Sequence, residues 1–212
     1  MSINKKKITI HENICNFAVS LKTIIDIVSK MLSLTRKLII DTQSGWDEIA
    51  NERSSVKAVF FHFTLPFVAV CVLFVAVFGY LYADVNAVAV GILKGLTVAI
   101  SLLMGNYIAY RGGMIVLSHY NPSFAVKEKV AKLVFYSYSV MYLLVILTAI
   151  FPSMFFLKVL NVYTAYLVWD GCRSVMGMNE DERSNFVLII TAVILATPLI
   201  VRYILQWMLP NI

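Results

Sequence analysis

Acidic residues are missing from every long apolar stretch of this 212-residue chain, and basic residues are missing from every second loop between those stretches. Without a carboxylate at mid-depth, a proton-coupled pump or a cation transporter has no acceptor. Charged residues make up only 14% of the chain against 60% hydrophobic. A soluble domain of this length cannot hide so much apolar surface, whereas a bilayer accepts it. Cysteine is scarce: Cys15, Cys71 and Cys172 are odd in number and show no CxxC spacing, which excludes a disulfide framework. His11 and His119 lack ligand-spaced partners, and His62 reads as a packing histidine, so no metal site is expected. GxSxG, HExxH, a Walker loop and paired carboxylates are all absent, so neither catalytic residues nor a cofactor are expected. Lys5-Lys6-Lys7 could open a signal peptide, but His11, Glu12, Asn13 and Asn16 interrupt its apolar core. The first membrane helix then serves as the targeting signal. The net charge of +6 does not point to nucleic acid, because the basic residues flank apolar runs and form no patch with interleaved aromatics.

Long apolar runs fill the rest. Residues 58–83 carry no formal charge, and about 20 such residues span a bilayer; Pro66 is expected to kink this run. Residues 85–110 are broken only by Lys94, and residues 133–169 only by Lys158. The latter run is too long for one crossing, and Phe151-Pro152-Ser153 supplies a turn, since proline lacks the donor a continuing helix needs. A last run, 186–209, contains Pro198. The fold class is therefore an all-α polytopic membrane protein with transmembrane helices at about 58–82, 87–110, 133–150, 153–171 and 186–209. Tyr80, Tyr82, Tyr107, Tyr110, Tyr136, Tyr138, Trp169 and Trp207 mark their ends as interfacial rings. A short re-entrant or interfacial piece at Gly112–Ser118 is a further option.

Ahead of this domain (46–212) lies an arm, residues 1–45. Phe17, Leu21, Ile24, Ile25, Val28, Met31, Leu32, Leu38 and Ile39 recur at helical spacing over about 17–40. Lys22, Asp26, Lys30, Arg36 and Lys37 prevent this segment from spanning. It reads either as an amphipathic helix on the inner face or as a helix covering the bundle from below. Gly45 then punctuates the chain, and Trp46 begins a short polar helix.

The basic residues orient the plan. Nine Lys/Arg lie in the arm up to Lys57, four between Arg111 and Lys132, and two between Asp170 and Asn185, against none in the alternate loops or the C-terminal tail. Basic residues stay on the cytoplasmic side, so the N-terminus is expected inside and the C-terminus outside.

Two constellations stand out. Ala87, Gly91, Gly95 and Ala99 form one ridge of small residues, and Ser101, Gly105, Ala109 and Gly113 a second. Small side chains at this spacing let helix backbones approach closely, either within the chain or with a second subunit; internal packing is favoured. Lys94, Lys158 and Arg202 lie at similar depth below the outer face. They read as snorkelling cations or as a site for an anionic group such as a lipid headgroup. Glu180-Asp181-Glu182 suit the start of the last helix, where negative charge is favourable.

Several local patterns then coincide. Trp46-Asp47-Glu48-Ile49 with Glu52, Phe135-Tyr136-Ser137-Tyr138-Ser139, and Tyr163, Tyr166 and Gly171 followed by Met176 resemble, in that order, the membrane domain of the Yip (Ypt/Rab-GTPase-interacting protein) family, bacterial branch. The resemblance covers about 44–209. A proline usual in the family after the tyrosine-serine pair is replaced near Tyr142, and the acidic motif linked to GTPase binding in the eukaryotic branch is absent. The resemblance implies a five-helix, non-enzymatic membrane domain in the bacterial plasma membrane, and no functional residue is carried over. The expected function is a membrane interaction or organising protein with an unknown protein partner and no nucleic acid. The alternative is a small transporter or lipid-handling protein using Lys94, Lys158 and Arg202. Oligomeric state is left open. The charge asymmetry predicts that single cysteines placed in 83–87 and in 120–126 label from opposite sides of the membrane; labelling of both from one side would refute the plan.

Overall fold

The computed structural model describes residue 22, residues 26–120 and residues 122–208. Phe17, Leu21, Ile24 and Ile25 of the expected amphipathic segment, together with His11, Cys15 and the Lys5-Lys6-Lys7 run, lie outside the described residues. All regular structure among the described residues is helical.

Helix α1 covers residues 26–40. It buries Met31, Leu34, Thr35 and Leu38 and leaves Lys30, Arg36 and Lys37 exposed, a stripe at helical spacing turned to the bundle. Helix α2, Thr42–Asn51, starts earlier than Gly45 suggested, because Asp41 caps it by accepting from the Ser44 N–H. Gly45 marks a close approach instead: a Cβ there would lie 3.0 Å from the Leu38 backbone nitrogen.

Helix α3 runs over Val56–Leu81. Its first half contains a wide π turn, Phe60–Thr64, in which the Leu65 N–H donates to Phe60 O. The cause is Pro66, which has no N–H to give to the preceding turn and crowds it. Helix α4, Ala87–Tyr120, is 34 residues long. It continues unbroken through Gly112–Ser118, so no re-entrant piece forms there. At 1.5 Å per residue it measures about 51 Å and outruns a hydrocarbon core of about 30 Å. Helix α5 covers Lys127–Ile150 with a slight break at Tyr138. A 3-10 segment, Pro152–Val162, then leads into helix α6, Tyr163–Gly171, and a π turn, Cys172–Met176. Helix α7 is Glu180–Met208, with Glu180, Asp181 and Glu182 in its first turn. Leu209 lies outside the described residues.

Four helices, α3, α4, α5 and α7, are long and apolar enough to cross a membrane. Of the most apolar window of α5, 56% is buried, against 22–33% for the other three. That difference makes α5 the central helix. Every residue from Val130 to Tyr142 is buried. Tyr136 and Tyr138 are thus core residues, contrary to an interfacial role, whereas Tyr80, Tyr82, Tyr107 and Trp207 are exposed as interfacial rings would be.

Around α5 the small residues of α4 set the spacing. A Cβ on Gly91 would lie 2.6 Å from Ala76 O, and one on Gly95 3.1 Å from the Ala76 methyl, so this ridge lies against α3. The Gly105 ridge turns to α7, where a Cβ would meet the Pro198 Cβ at 3.0 Å. Gly113 lies against Ile190 of α7 and Val130 of α5. Pro198 cannot donate to Ile194 O, and the Thr197 hydroxyl sits 3.4 Å from that carbonyl.

Bulk at the α3–α4 crossing should hold the helices apart. Gly91→Leu is expected to cost about 1–3 kcal/mol, while Leu93→Ala, on an exposed face, should stay within about 0.5 kcal/mol. Melting in mild detergent checks this, and equal midpoints for the two variants would contradict it.

Candidate functional site

The short motifs spread over the sequence meet at one end of the bundle, the basic end, where α1 and α2 close over α5 and α6. Trp46 is fully buried. Its indole stands edge-on to the Tyr136 ring, with centroids 6.4 Å apart. Gly171 makes the slot for it: a Cβ at 171 would lie 2.8 Å from the Trp46 ring and 2.6 Å from the Leu133 side chain. No other residue fits there without displacing the tryptophan.

Lys132 secures the other end of α2. Its side chain is buried, and its amine donates to Ile49 O at 2.8 Å and to Glu52 O. These are among the carbonyls that a helix C-terminus leaves unpaired, and a cation there also meets the negative end of the helix dipole. The start of α2 is tied down by Tyr163, whose hydroxyl donates to Ile39 O at 3.1 Å and lies 3.1 Å from the Thr42 hydroxyl. On the neighbouring side, the buried Arg183 guanidinium lies 4.0 Å over the Trp169 ring, a cation–π contact that replaces lost hydration.

Beside the Trp46 seat, a crevice of about 450 Å³ opens between α1 and the first turns of α3. Met31, Leu34, Val59 and Phe63 form its apolar wall, Asp26, Lys30 and Glu52 its charged part, and the His62 ring lines it beside them. Lys30 and Glu52 are paired at 2.7 Å. Ser54 lines the same space, and its hydroxyl is buried without a hydrogen-bond partner.

Deeper in the bundle several polar groups are occupied with one another, while the buried Ser139 and Thr191 hydroxyls have no partner. Tyr142 donates to Asn106 Oδ1 at 3.0 Å, and the Asn106 amide donates to Leu102 O at 2.7 Å. Tyr138 and Thr197 share a hydrogen bond of 2.9 Å, and Thr197 also reaches Gly105 O at 3.2 Å. Cys71 donates to Tyr142 O at 3.4 Å. Cys172 is buried, and burial pushes its thiol up against the opposing pull of Arg183, which disfavours the thiolate a nucleophile needs. No group of three His, Cys, Asp or Glu able to hold a metal occurs among the described residues.

The other sequence-derived residues lie elsewhere. Gly91 and Gly95 face α3 and Gly105 faces α7, while Ala87 and Ala99 are half-buried on α4. Lys94, Lys158 and Arg202 are all exposed, on α4, the 3-10 segment and α7 respectively. The stem of Lys94 lies across Gly79, and the 3-10 segment packs on α5 and α6. Lys132, Asn106, Tyr142 and Arg183 carry structural weight that charge counting and run lengths did not show. The available signal was the density of hydroxyls in 137–142, since a helix polar on every side has no face to offer lipid.

The Yip1 domain matches residues 36–202. The chain belongs to the Yip1 domain family. No curated protein and no solved structure matched it. As a Yip1-domain chain with four helices long and apolar enough to cross a bilayer, it is an integral, multi-pass membrane protein. In this Yip1 domain the three groups of residues that carried the resemblance are in physical contact: Trp46 touches Gly171 and Tyr136. The order of the motifs along the chain therefore encodes one docking joint. Trp46→Ala should cost about 3–5 kcal/mol, and Gly171→Leu should act on the same joint. Denaturation of the two single variants and the double variant should show a clearly sub-additive loss. Strict additivity would mean that the two residues act separately.

Proposed function

We propose that this Yip1 domain is a non-enzymatic interaction protein and that the outer faces of α1 and α2 form the platform for a protein partner. The observation that carries this reading is the way α1 and α2 are held. Trp46, Lys132 and Tyr163 fix them from below, so that Lys30, Arg36, Lys37, Asp47 and Glu48 remain exposed. Lys37 and Glu48 pair at 2.5 Å with about half of each side chain exposed. Such surface pairs add no more than about 1 kcal/mol to stability, whereas charged rims steer partner choice strongly. These charges can thus be changed without undoing the fold.

Topology completes the proposal. The N-terminus and platform face the cytoplasm of a bacterial plasma membrane, and the C-terminus lies outside, as the distribution of Lys and Arg supports. That arrangement needs a fifth crossing, made by Pro152–Gly171. Beyond the break at Met154, eight residues at about 2.0 Å rise and nine at about 1.5 Å cover roughly 30 Å, about the thickness of the hydrocarbon core. Phe155, Phe156, Val159 and Val162 are exposed along the 3-10 part, which suits contact with lipid. The transport or lipid-handling alternative would require Lys94, Lys158 and Arg202 to face one cavity; we read each as a snorkelling side chain.

Arg36→Glu combined with Lys37→Glu tests the platform. Proteins cross-linked to the wild-type chain in native membranes should be lost from this variant while its melting midpoint moves little. Retention of the same set would refute the proposal. For the topology, cysteines at Ser153 and Asn179, in a chain whose own cysteines are replaced by serine, should label from opposite sides. Labelling of both from one side would remove the fifth crossing.

A further inference from the structure

The crevice beside the Trp46 seat has features that a protein-binding platform does not require. It lies where α3 begins at Val56, beside the end of the apolar run from which the chain would enter a bilayer. Its wall is apolar, through Met31, Leu34, Val59 and Phe63. On the flank next to His62, Phe61 and Leu65 are exposed and continue the apolar surface along α3. A ligand with a polar head and an apolar tail could therefore enter from the bilayer without leaving it.

The charges narrow the choice. Asp26 and Glu52 bring two carboxylates and Lys30 one ammonium, with His62 adding a ring nitrogen. Lys30 is already paired with Glu52, so a purely anionic head would have to displace that carboxylate and face Asp26 as well, and the crevice is ill suited to it. A zwitterionic head with a terminal ammonium fits both signs: the phosphate to Lys30 and His62, the ammonium to Asp26 and Glu52. Glu52 is well placed for this, because Lys132 holds its backbone carbonyl from inside the bundle. Ser54 lines the same space, and its hydroxyl is buried. A volume of about 450 Å³ accommodates the head and the first carbons of the chains, the rest lying along α3.

We propose that the crevice lined by Asp26, Lys30, Glu52, Ser54 and His62 is a binding site for an aminophospholipid headgroup. It does not depend on the partner reading of the platform, only on the basic end lying at a membrane surface. The site takes phosphatidylethanolamine in preference to phosphatidylglycerol by roughly tenfold, about what one charge-assisted hydrogen bond supplies.

Native mass spectrometry of the full chain, in detergent with equal amounts of phosphatidylethanolamine and phosphatidylglycerol, tests it. The wild type should retain one phosphatidylethanolamine. Ala58→Trp, which fills the crevice from its half-buried edge and leaves every charge in place, should lose it, and Asp26→Asn with Glu52→Gln should lose the preference. The Lys94→Gln/Lys158→Gln/Arg202→Gln variant, altered elsewhere, should keep the bound lipid. Equal retention of the two lipids, or unchanged retention in Ala58→Trp, would overturn the proposal. So would loss in the triple glutamine variant, which would relocate the lipid to those cations. Melting midpoints of each variant separate loss of the site from loss of the fold.

Discussion

A helix that carries Ser137, Tyr138, Ser139 and Tyr142 within a few residues has no side that lipid can solvate. The hydrocarbon provides no hydrogen-bond partner, so the protein must enclose this stretch of α5. It does: burial runs without interruption from Val130 to Tyr142. The surrounding elements follow from that requirement. Helices α3 and α7 and the long α4 pack close to one another because glycines at 91, 95 and 105 remove the side chains that would hold them apart. At the basic end the 34-residue α4 and the α1–α2 pair complete the cover. Without α2 and its Trp46, the polar top of α5 around Lys132 and Tyr136 would lose its lid.

The same constraint explains how the prolines are tolerated. Pro66 withdraws one donor from α3, and the chain widens into a π turn that rejoins the ladder at Leu65. Pro198 withdraws one from α7, and Thr197, the residue before it, brings its hydroxyl to Tyr138, Gly105 and Ile194 at once. A single threonine therefore links three helices where the backbone ladder is weakest. The individual bonds are worth little, about 0.6 kcal/mol on average between membrane helices. Their placement fixes which face of α7 meets α5.

The apolar runs were legible because they depend on composition alone: the ranges read for the first, second and last helices fall within Val56–Leu81, Ala87–Tyr120 and Glu180–Met208 to within a residue. The winding of 152–162 was not legible, since the 3-10 and α forms of an apolar segment use the same residues. Nor were the roles of Tyr136 and Lys132. A tyrosine or lysine near a helix end reads as interfacial by default, and only the docking of α2 turns these two inward. Gly45 misled for a related reason. Glycine signals a break as readily as a close approach, and here Asp41 had already started the helix. The motifs Trp46, Tyr136 and Gly171 could be recognised as a series, but that they form a single joint depends on geometry that spacing does not contain.

The tighter coil of Pro152–Val162 has a consequence for hydrophobic matching. Past its break at Met154, residues 155–162 reach about 4 Å further than they would as an α-helix. This is close to the difference in hydrocarbon thickness between thin and thick cell membranes. If this segment crosses the bilayer as proposed, its winding as well as its number of residues sets the thickness it covers. A straight α-helix can match a thicker or thinner bilayer only by tilting or kinking, whereas a crossing wound this way would also draw on its tighter coil.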